Sequence, residues 1–325
     1  MDNIKILDSI SKDKKVFYDE LGKVIIGQTE IVEHIFIAIL CKGHILLEGV
    51  PGLGKTLIIK TISDIMDLNF NRIQFTPDLM PSDITGSEII TKDTKTGERS
   101  FKFIKGPVFS NIILADEINR TPPKTQAALL EAMQEGRVTV GGETYPIGSP
   151  LFVMATQNPI EQEGTYPLPE AQLDRFMFNV VIDYPLYEDE ITIVKNNTSV
   201  QNFSLEKVIT KENLLNYQNL ILNTPVADNL IENAVKFVHN TRPTHSSSPD
   251  ITKKYINWGA GPRASTFLIL AAKAKAILSN KPTPDMDDFI SVIKPVLRHR
   301  IIPNFNAEAE GVKKDDILDE LLNSI

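Results

Sequence analysis

Short apolar runs, separated by polar and glycine-containing segments, dominate the chain up to about position 184. The runs have the length of strands, and the segments between them have helical spacing. Continuous apolar runs that alternate with helices are typical of a parallel sheet covered on both faces, so the pattern predicts an α/β fold. The predicted strands are 44–48, 70–76, 111–117, 150–156 and 178–183.

Two pairs of β-like segments interrupt this alternation. The first pair, 87–91 and 100–104, flanks the turn signal Lys95-Thr96-Gly97-Glu98. The second pair, 137–140 and 143–147, flanks Gly141-Gly142. Both patterns predict β-hairpins, and since a parallel sheet covered by helices needs neither, we expect them to be inserts.

Helical patterns replace strands from Pro185 onward, for example over 229–238 and 264–278. We therefore expect a domain boundary at Tyr184-Pro185, with an α/β domain over 1–184 and an α-helical domain over 185–325.

Composition narrows the class of protein. The net charge of −8 over 325 residues argues against a protein that coats nucleic acid. The single cysteine, Cys41, excludes an internal disulfide and is predicted to lie in a helix core. The N-terminus lacks a secretory-signal pattern and no apolar run is long enough to cross a bilayer, so we expect a cytoplasmic protein without membrane insertion.

The most specific motif follows the first predicted strand, where residues 49–56 fit G-x-x-x-x-G-K-[ST]. A strand that leads through a glycine-rich turn into a helix directs several backbone N–H groups at one phosphate. In such a loop Lys55 reaches the β- and γ-phosphates and the Thr56 hydroxyl binds magnesium. The apolar segment 24–28 either flanks the adenine or packs in the core. The predicted nucleotide-binding residues of this region are Gly49, Val50, Pro51, Gly52, Leu53, Gly54, Lys55, Thr56 and Leu57.

Polar residues follow the later strands at the edge of the sheet where ligands bind in this fold class. Asp116 is predicted to hold magnesium together with Thr56, and Glu117 to polarise the attacking water. Asn158 is placed to orient that water or sense the γ-phosphate, and it also suits an Asn-Pro turn with Pro159; both roles stay open.

The motifs together resemble the MoxR family of AAA+ ATPases over most of the chain. The stretches that carry the resemblance are 49–56, 113–120 (ILADEINR), 155–159 (ATQNP), 168–176 (LPEAQLDRF) and 261–265 (GPRAS). The resemblance implies an AAA+ P-loop NTPase core with a C-terminal α-helical lid. It also implies ATP and Mg²⁺ as cofactors, and a homo-oligomeric ring, expected to be a hexamer, that shares nucleotide between subunits.

The resemblance also implies roles for single residues. Walker A is at Lys55 and Thr56, Walker B at Asp116 and Glu117, sensor one at Asn158, the arginine finger at Arg175, and sensor two at Arg263. A finger guanidinium neutralises charge that develops on the transferred phosphoryl group of a neighbouring subunit. Arg120 is either a second such cation or a cap for the helix predicted over 124–135, and we favour Arg175 as the finger.

The function implied is a Mg-dependent ATPase that remodels or activates a separate protein, expected to carry a von Willebrand factor A (VWA) domain. The alternative is a nucleic-acid-translocating motor, since the first hairpin carries basic residues. The acidity of the chain disfavours nucleic acid as a partner. A nucleotide-gated scaffold without turnover is opposed by intact Glu117 and Arg175. The basic residues of the first hairpin are Lys92, Lys95, Arg99, Lys102 and Lys105.

Overall fold

The computed structural model describes residues 3–92, 99–160, 164–199 and 204–323. The turn predicted at 95–98 lies outside these ranges. The strands are β1 Ile45–Glu48, β2 Phe70–Gln74, β3 Gly86–Lys92, β4 Arg99–Lys105, β5 Ile112–Asp116, β6 Arg137–Val140, β7 Glu143–Pro146, β8 Phe152–Gln157, β9 Phe178–Val181, β10 Ile256–Trp258 and β11 Ile302–Pro303. The helices are α1 Asn3–Gly22, α2 Thr29–Leu40, α3 Lys55–Ile65, α4 Pro81–Thr85, α5 Pro123–Glu135, α6 Glu170–Leu173, α7 Tyr187–Asn197, α8 Lys211–Asn223, α9 Asp228–Asn240, α10 Asp250–Tyr255, α11 Pro262–Leu278, α12 Met286–Leu297, α13 Phe305–Glu310 and α14 Lys314–Leu322, with a 3-10 turn at Ile118–Arg120.

A parallel sheet in the order β2-β5-β8-β1-β9 forms the centre of the N-terminal half. The predicted α/β fold is confirmed, and each predicted strand contributes to this sheet. Strand β8 lies between β1 and β5, so the strand that precedes the phosphate loop is not a neighbour of the strand that ends at Asp116.

Alternate strand residues supply the two faces of the sheet. Ile45 and Leu47 belong to one buried cluster, which contains residues of α1, α2 and α3, and Leu46 belongs to a second cluster with residues of α5. Because successive side chains on a strand point to opposite faces, strands covered on both sides read as continuous apolar runs. This is why the sequence pattern identified them.

Both predicted hairpins form, as the antiparallel pairs β3–β4 and β6–β7. They contact each other: the Phe103 ring stacks on Tyr145, with ring centroids 4.1 Å apart and an angle of 16° between the ring planes. Stacked rings of this kind stabilise the fold by about 0.5–1.5 kcal/mol beyond the stabilisation from the apolar area that they bury. The two inserts therefore pack against one another rather than projecting separately.

Helices dominate the C-terminal part, with β10 and β11 as a short antiparallel pair. Helix α1, which the sequence analysis did not predict, packs against this part: the Tyr217 hydroxyl donates to Asp13 Oδ2 at 2.6 Å. One apolar cluster runs from β1 through α11 to α12. Within the described ranges, no helix is long and apolar enough to span a membrane.

Candidate nucleotide site

The phosphate loop has the backbone that its glycines predict. Gly52 and Gly54 have φ angles of 85° and 74°, a region that side chains with a Cβ disfavour. Gly54 directly precedes α3, and no side chain of the described residues caps that helix. The N-terminal amides of α3 therefore point toward the place where a phosphate would bind.

Gly49 serves a different purpose, which is close packing. A Cβ at this position would collide with Cγ2 of Ile182 and approach the Ile182 carbonyl oxygen at 2.8 Å. The loop leaves β1 where the Ile182 segment passes this closely, so only a residue without a Cβ fits at position 49.

A cavity of about 410 Å³ lies beside the phosphate loop. Its walls come from three segments: the apolar residues 24–26 with Gln28, the loop and first turn of α3, and the stretch from Tyr184 to Asn197. Mostly apolar walls with a few amides suit a purine base. The segment 24–28 therefore has the position that an adenine-flanking segment requires.

The structure brings Lys55 into electrostatic contact with both predicted carboxylates. Burial lowers the pKa of the Lys55 ammonium, while the negative charges of Asp116 and Glu117 act to raise it. The ammonium also donates to the Gly49 carbonyl oxygen. Although β8 separates their strands, the loop lysine and the two acids thus share one site.

A hydroxyl that the sequence analysis missed links the two carboxylate residues. Thr156, near the end of β8, donates to Asp116 Oδ1 at 2.6 Å and accepts from the Glu117 N–H at 2.9 Å. Its side chain is buried. Thr156 therefore fixes the side chain of the first acid and the backbone of the second.

Strand β2 supplies further partners for the same acids. Arg72 donates to Asp116 Oδ2 through Nη2 at 2.6 Å and Nε at 3.1 Å, and Gln74 Nε2 donates to Glu117 Oε2 at 2.8 Å. Arg72 and Gln74 are two positions apart on β2, so their side chains lie on the same face of the strand.

Thr56 and Asp116 offer the hydroxyl and carboxylate oxygens that Mg²⁺ prefers. Among the described residues no cluster of three or more His, Cys, Asp or Glu side chains forms a metal cage. Magnesium is commonly held by one or two protein groups together with substrate phosphates, so this small donor set fits an ion that arrives with a nucleotide.

Asn158 adopts the turn role that its sequence context predicts. Its Oδ1 accepts from the N–H of Ile160 at 3.1 Å, and the residue is buried. It directly follows β8, so the turn holds it at the same edge of the sheet as Thr156 and Glu117.

Arg175 and Arg263 lie together, away from the cavity beside the phosphate loop. Arg175 Nη1 donates to the Leu130 carbonyl oxygen at 3.1 Å. Arg263 Nη1 forms an ion pair with Oδ2 of Asp174, the residue before Arg175, at 3.1 Å. Neither arginine, nor any other described residue of 204–323, lines the 410 Å³ cavity. The two cations therefore both lie next to residue 174, and neither lines the cavity beside the phosphate loop.

Arg120 instead contacts the predicted catalytic acid of its own chain. Its Nε lies 3.2 Å from Oε2 of Glu117, within the 3-10 turn that precedes α5. This contact distinguishes Arg120 from Arg175, which contacts the Leu130 carbonyl oxygen.

Comparison with known proteins identifies the family. A family profile described as "ATPase family associated with various cellular activities (AAA)" matches residues 44–178, and an AAA lid domain profile matches 249–321. Chaperone MoxR1 of Mycobacterium tuberculosis is 41% identical over 94% of this chain and 80% of that protein. Protein MoxR of Methylorubrum extorquens is 24% identical over 95% of this chain and 92% of its own length.

A solved structure gives the same result. A candidate ATPase from Cytophaga hutchinsonii superposes with a TM-score of 0.91 at 42% identity, covering 99% of this chain and 96% of the other. The resemblance predicted from the motifs is confirmed, and so are nucleotide binding and ATP hydrolysis as the family activity. The chain is therefore an ATPase that belongs to the MoxR family of AAA+ proteins.

Proposed function

We propose that this ATPase works as a ring in which ATP and Mg²⁺ bind at the phosphate loop of one subunit and a neighbouring subunit completes the site. The location of Arg175 and Arg263 carries this proposal. Cleavage of the γ-phosphate needs cations that neutralise the charge developing on it. Since neither arginine lines the cavity beside the loop of its own chain, the finger role of Arg175 fits a neighbour's nucleotide.

In this arrangement each side chain has a distinct task. Lys55 binds the phosphates, Thr56 and Asp116 hold the magnesium ion, and Glu117 accepts a proton from the attacking water. Asn158 orients that water from the end of β8. Arg263 keeps its ion pair with Asp174. Through this contact it orients the C-terminal domain toward the shared nucleotide that Arg175 contacts. The proposed division into a core over 1–184 and a lid over 185–325 follows this assignment.

The ring is proposed to remodel or activate a separate protein client in the cytoplasm, in keeping with the name chaperone of the relative MoxR1. A client with a VWA domain is the partner that the family resemblance implies. The first hairpin offers a contact surface, since Ile90 and Phe101 pair across it and are 63% and 73% exposed. Exposed apolar side chains that face one another in this way favour contact with another protein.

Capture of the client tests this proposal. A Glu117→Gln protein with ATP is expected to hold its partner long enough for affinity capture and mass spectrometry, since it binds nucleotide without cleaving it. Sedimentation of the same sample reports whether ATP drives assembly. The matched sample is Glu117→Gln protein that also carries Ile90→Ser and Phe101→Ser. A protein that stays monomeric with and without ATP would contradict the ring. Equal capture of the partner by both samples would contradict the hairpin as the contact surface.

Thr156→Val is expected to lower kcat about ten- to a hundredfold while the affinity for ATP changes little. The hydroxyl bonds to a carboxylate that holds the metal, and a hydrogen bond to a charged group contributes about 1.5–3 kcal/mol. Steady-state kinetics and nucleotide titration separate the two effects. Thr156→Ser is the control, since it retains the hydroxyl; equal loss in both variants would show that the hydrogen bond does not account for the effect.

A further inference from the structure

The turn after α12, residues 298–300, contacts the backbone around Arg175 through three consecutive side chains. Arg298 Nη1 donates to the Asn179 carbonyl oxygen at 3.1 Å, and His299 Nε2 lies 3.0 Å from the Phe176 carbonyl oxygen. Arg300 reaches the same segment from within the protein. This turn, which we term the lid turn, therefore joins the helical domain to residues 174–179.

Arg300 makes the densest set of these contacts. Its Nε donates to Asp174 Oδ1 at 2.8 Å, and its Nη2 donates to the carbonyl oxygens of Asp174 and Phe176 at 2.8 and 2.6 Å. Its Nη1 donates to Met177 O at 3.2 Å and also to Val296 O. A guanidinium has five N–H groups, and the five contacts employ all three of its nitrogens.

The environment of this guanidinium is nearly dry. The Arg300 side chain is 1% exposed, and its charged end lies over the Phe267 ring at 5.1 Å. Burial lowers the pKa of Arg300 to about 10, against the opposing charge of Asp174, so the group remains a cation at neutral pH. A buried cation is retained only where its hydrogen bonds are well satisfied, so the segment it contacts is held in one geometry.

Arg175 lies between the two carbonyl groups that Arg300 holds. Asp174 precedes it and Phe176 follows it, and both accept from Nη2. The carboxylate of Asp174 accepts from Arg300 on Oδ1 and from Arg263 on Oδ2. The backbone on each side of Arg175 is therefore fixed by a residue of the helical domain that is 126 positions away in sequence.

We propose that Arg300 is a positioning residue that sets the direction of Arg175 toward the nucleotide of the adjacent subunit. The inference rests on the proposed finger role of Arg175. Arg300 touches no nucleotide; it acts by holding the peptide units on either side of the finger. Any movement of the helical domain thereby reaches the finger through a rigid contact and not through a flexible linker.

Arginine is required at position 300 because of its shape. Lysine keeps the charge but has three donors on one nitrogen, so it cannot reach Asp174, Phe176 and Met177 at once. Arg300→Lys thus loosens the segment without removing the buried charge.

The decisive measurement compares Arg300→Lys, Arg175→Ala and the double variant in ATP turnover. Arg300→Lys is expected to lower kcat about ten- to a hundredfold with the KM for ATP little changed, because a displaced catalytic group costs rate and not binding. The double variant is expected to be no slower than Arg175→Ala alone, since a residue that acts only through Arg175 has no effect once that side chain is gone.

Arg242→Lys is the matched control. Arg242 lies in the same domain and its Nε donates to a carbonyl of that domain, Ala260 O, at 2.9 Å. We expect its kcat to equal that of the unmodified protein. If Arg242→Lys were as slow as Arg300→Lys, general loosening of the domain would explain both and the positioning role would be wrong.

Other outcomes separate this inference from the proposed function. Multiplied losses in the double variant, or normal turnover of Arg300→Lys, would overturn the positioning role and leave the finger intact. Normal turnover of Arg175→Ala would overturn the finger, and the positioning role with it. If Arg300→Lys does not fold, Asp174→Asn removes the ion pair and keeps the carbonyl contacts; its smaller loss of kcat must likewise vanish on the Arg175→Ala background.

Discussion

Glu117→Gln is expected to lower ATP turnover by at least about a hundredfold while the protein still binds ATP. Glutamine has nearly the same shape but cannot accept the proton of the attacking water. The site around it stays ordered, because Gln74 and the Thr156 hydroxyl contact this residue through one side-chain oxygen and the backbone N–H. Single-turnover hydrolysis and nucleotide titration measure the two quantities separately.

Glu135→Gln is the control for this variant. Glu135 ends α5 and pairs at the surface with Arg137 at 3.1 Å, so its neutralisation is expected to leave turnover unchanged. Turnover near the normal rate in Glu117→Gln would show that another group activates the water, and Glu117 would lose its role as the base.

Lys55→Ala is expected to weaken ATP binding by about ten- to a hundredfold, because a charge-assisted hydrogen bond to phosphate is worth about 1.5–3 kcal/mol. Its half-buried ammonium lies close to Asp116 and Glu117, and these acids remain after the substitution. The phosphates then meet negative charge without the cation that offsets it. Calorimetric titration with a slowly hydrolysed ATP analogue and Mg²⁺ measures the affinity.

Lys60→Ala provides the comparison, since Lys60 lies on the same helix and is exposed to solvent. Its affinity for ATP is expected to match that of the unmodified protein. If Lys55→Ala also retained normal affinity, the phosphate loop would not be the site of nucleotide binding.

The sequence predicted the elements whose signals are local. The strands of the central sheet appear as apolar runs because both faces are covered, and the phosphate loop follows from glycine conformation and helix geometry. The order of strands was not readable, since it depends on how distant segments pair. That is why the position of β8 between β1 and β5, and with it the Thr156 bridge, emerged only from the fold.

Arg300 shows the same limit more sharply. In the sequence it belongs to Arg298-His299-Arg300, a basic run that is usually a solvated surface. In the fold the Arg300 side chain is buried against residues 174–177. The sequence pattern around a residue predicts the helix or strand to which that residue belongs. The partners that stabilise a buried charge lie elsewhere in the chain, so the local pattern does not predict them.

Helix α1 was also not predicted from the sequence, and its packing connects the two halves of the chain. It belongs to the N-terminal half yet contacts Tyr217 of α8 through Ser9 and Asp13. Together with the lid turn, these contacts attach the C-terminal half to the core. We therefore expect nucleotide-driven movement to be transmitted between the halves as a change of packing.

Mixing two inactive variants tests most directly whether adjoining subunits share the site. Arg175→Ala subunits keep the phosphate loop and lack the finger, whereas Lys55→Ala subunits keep the finger and lack tight nucleotide binding. Random assembly at equal amounts pairs an intact loop with an intact finger at about a quarter of the interfaces, so about a quarter of the normal ATPase rate is expected. A mixture that never exceeds the summed rates of its two components, at any ratio, would contradict a site completed by the neighbour.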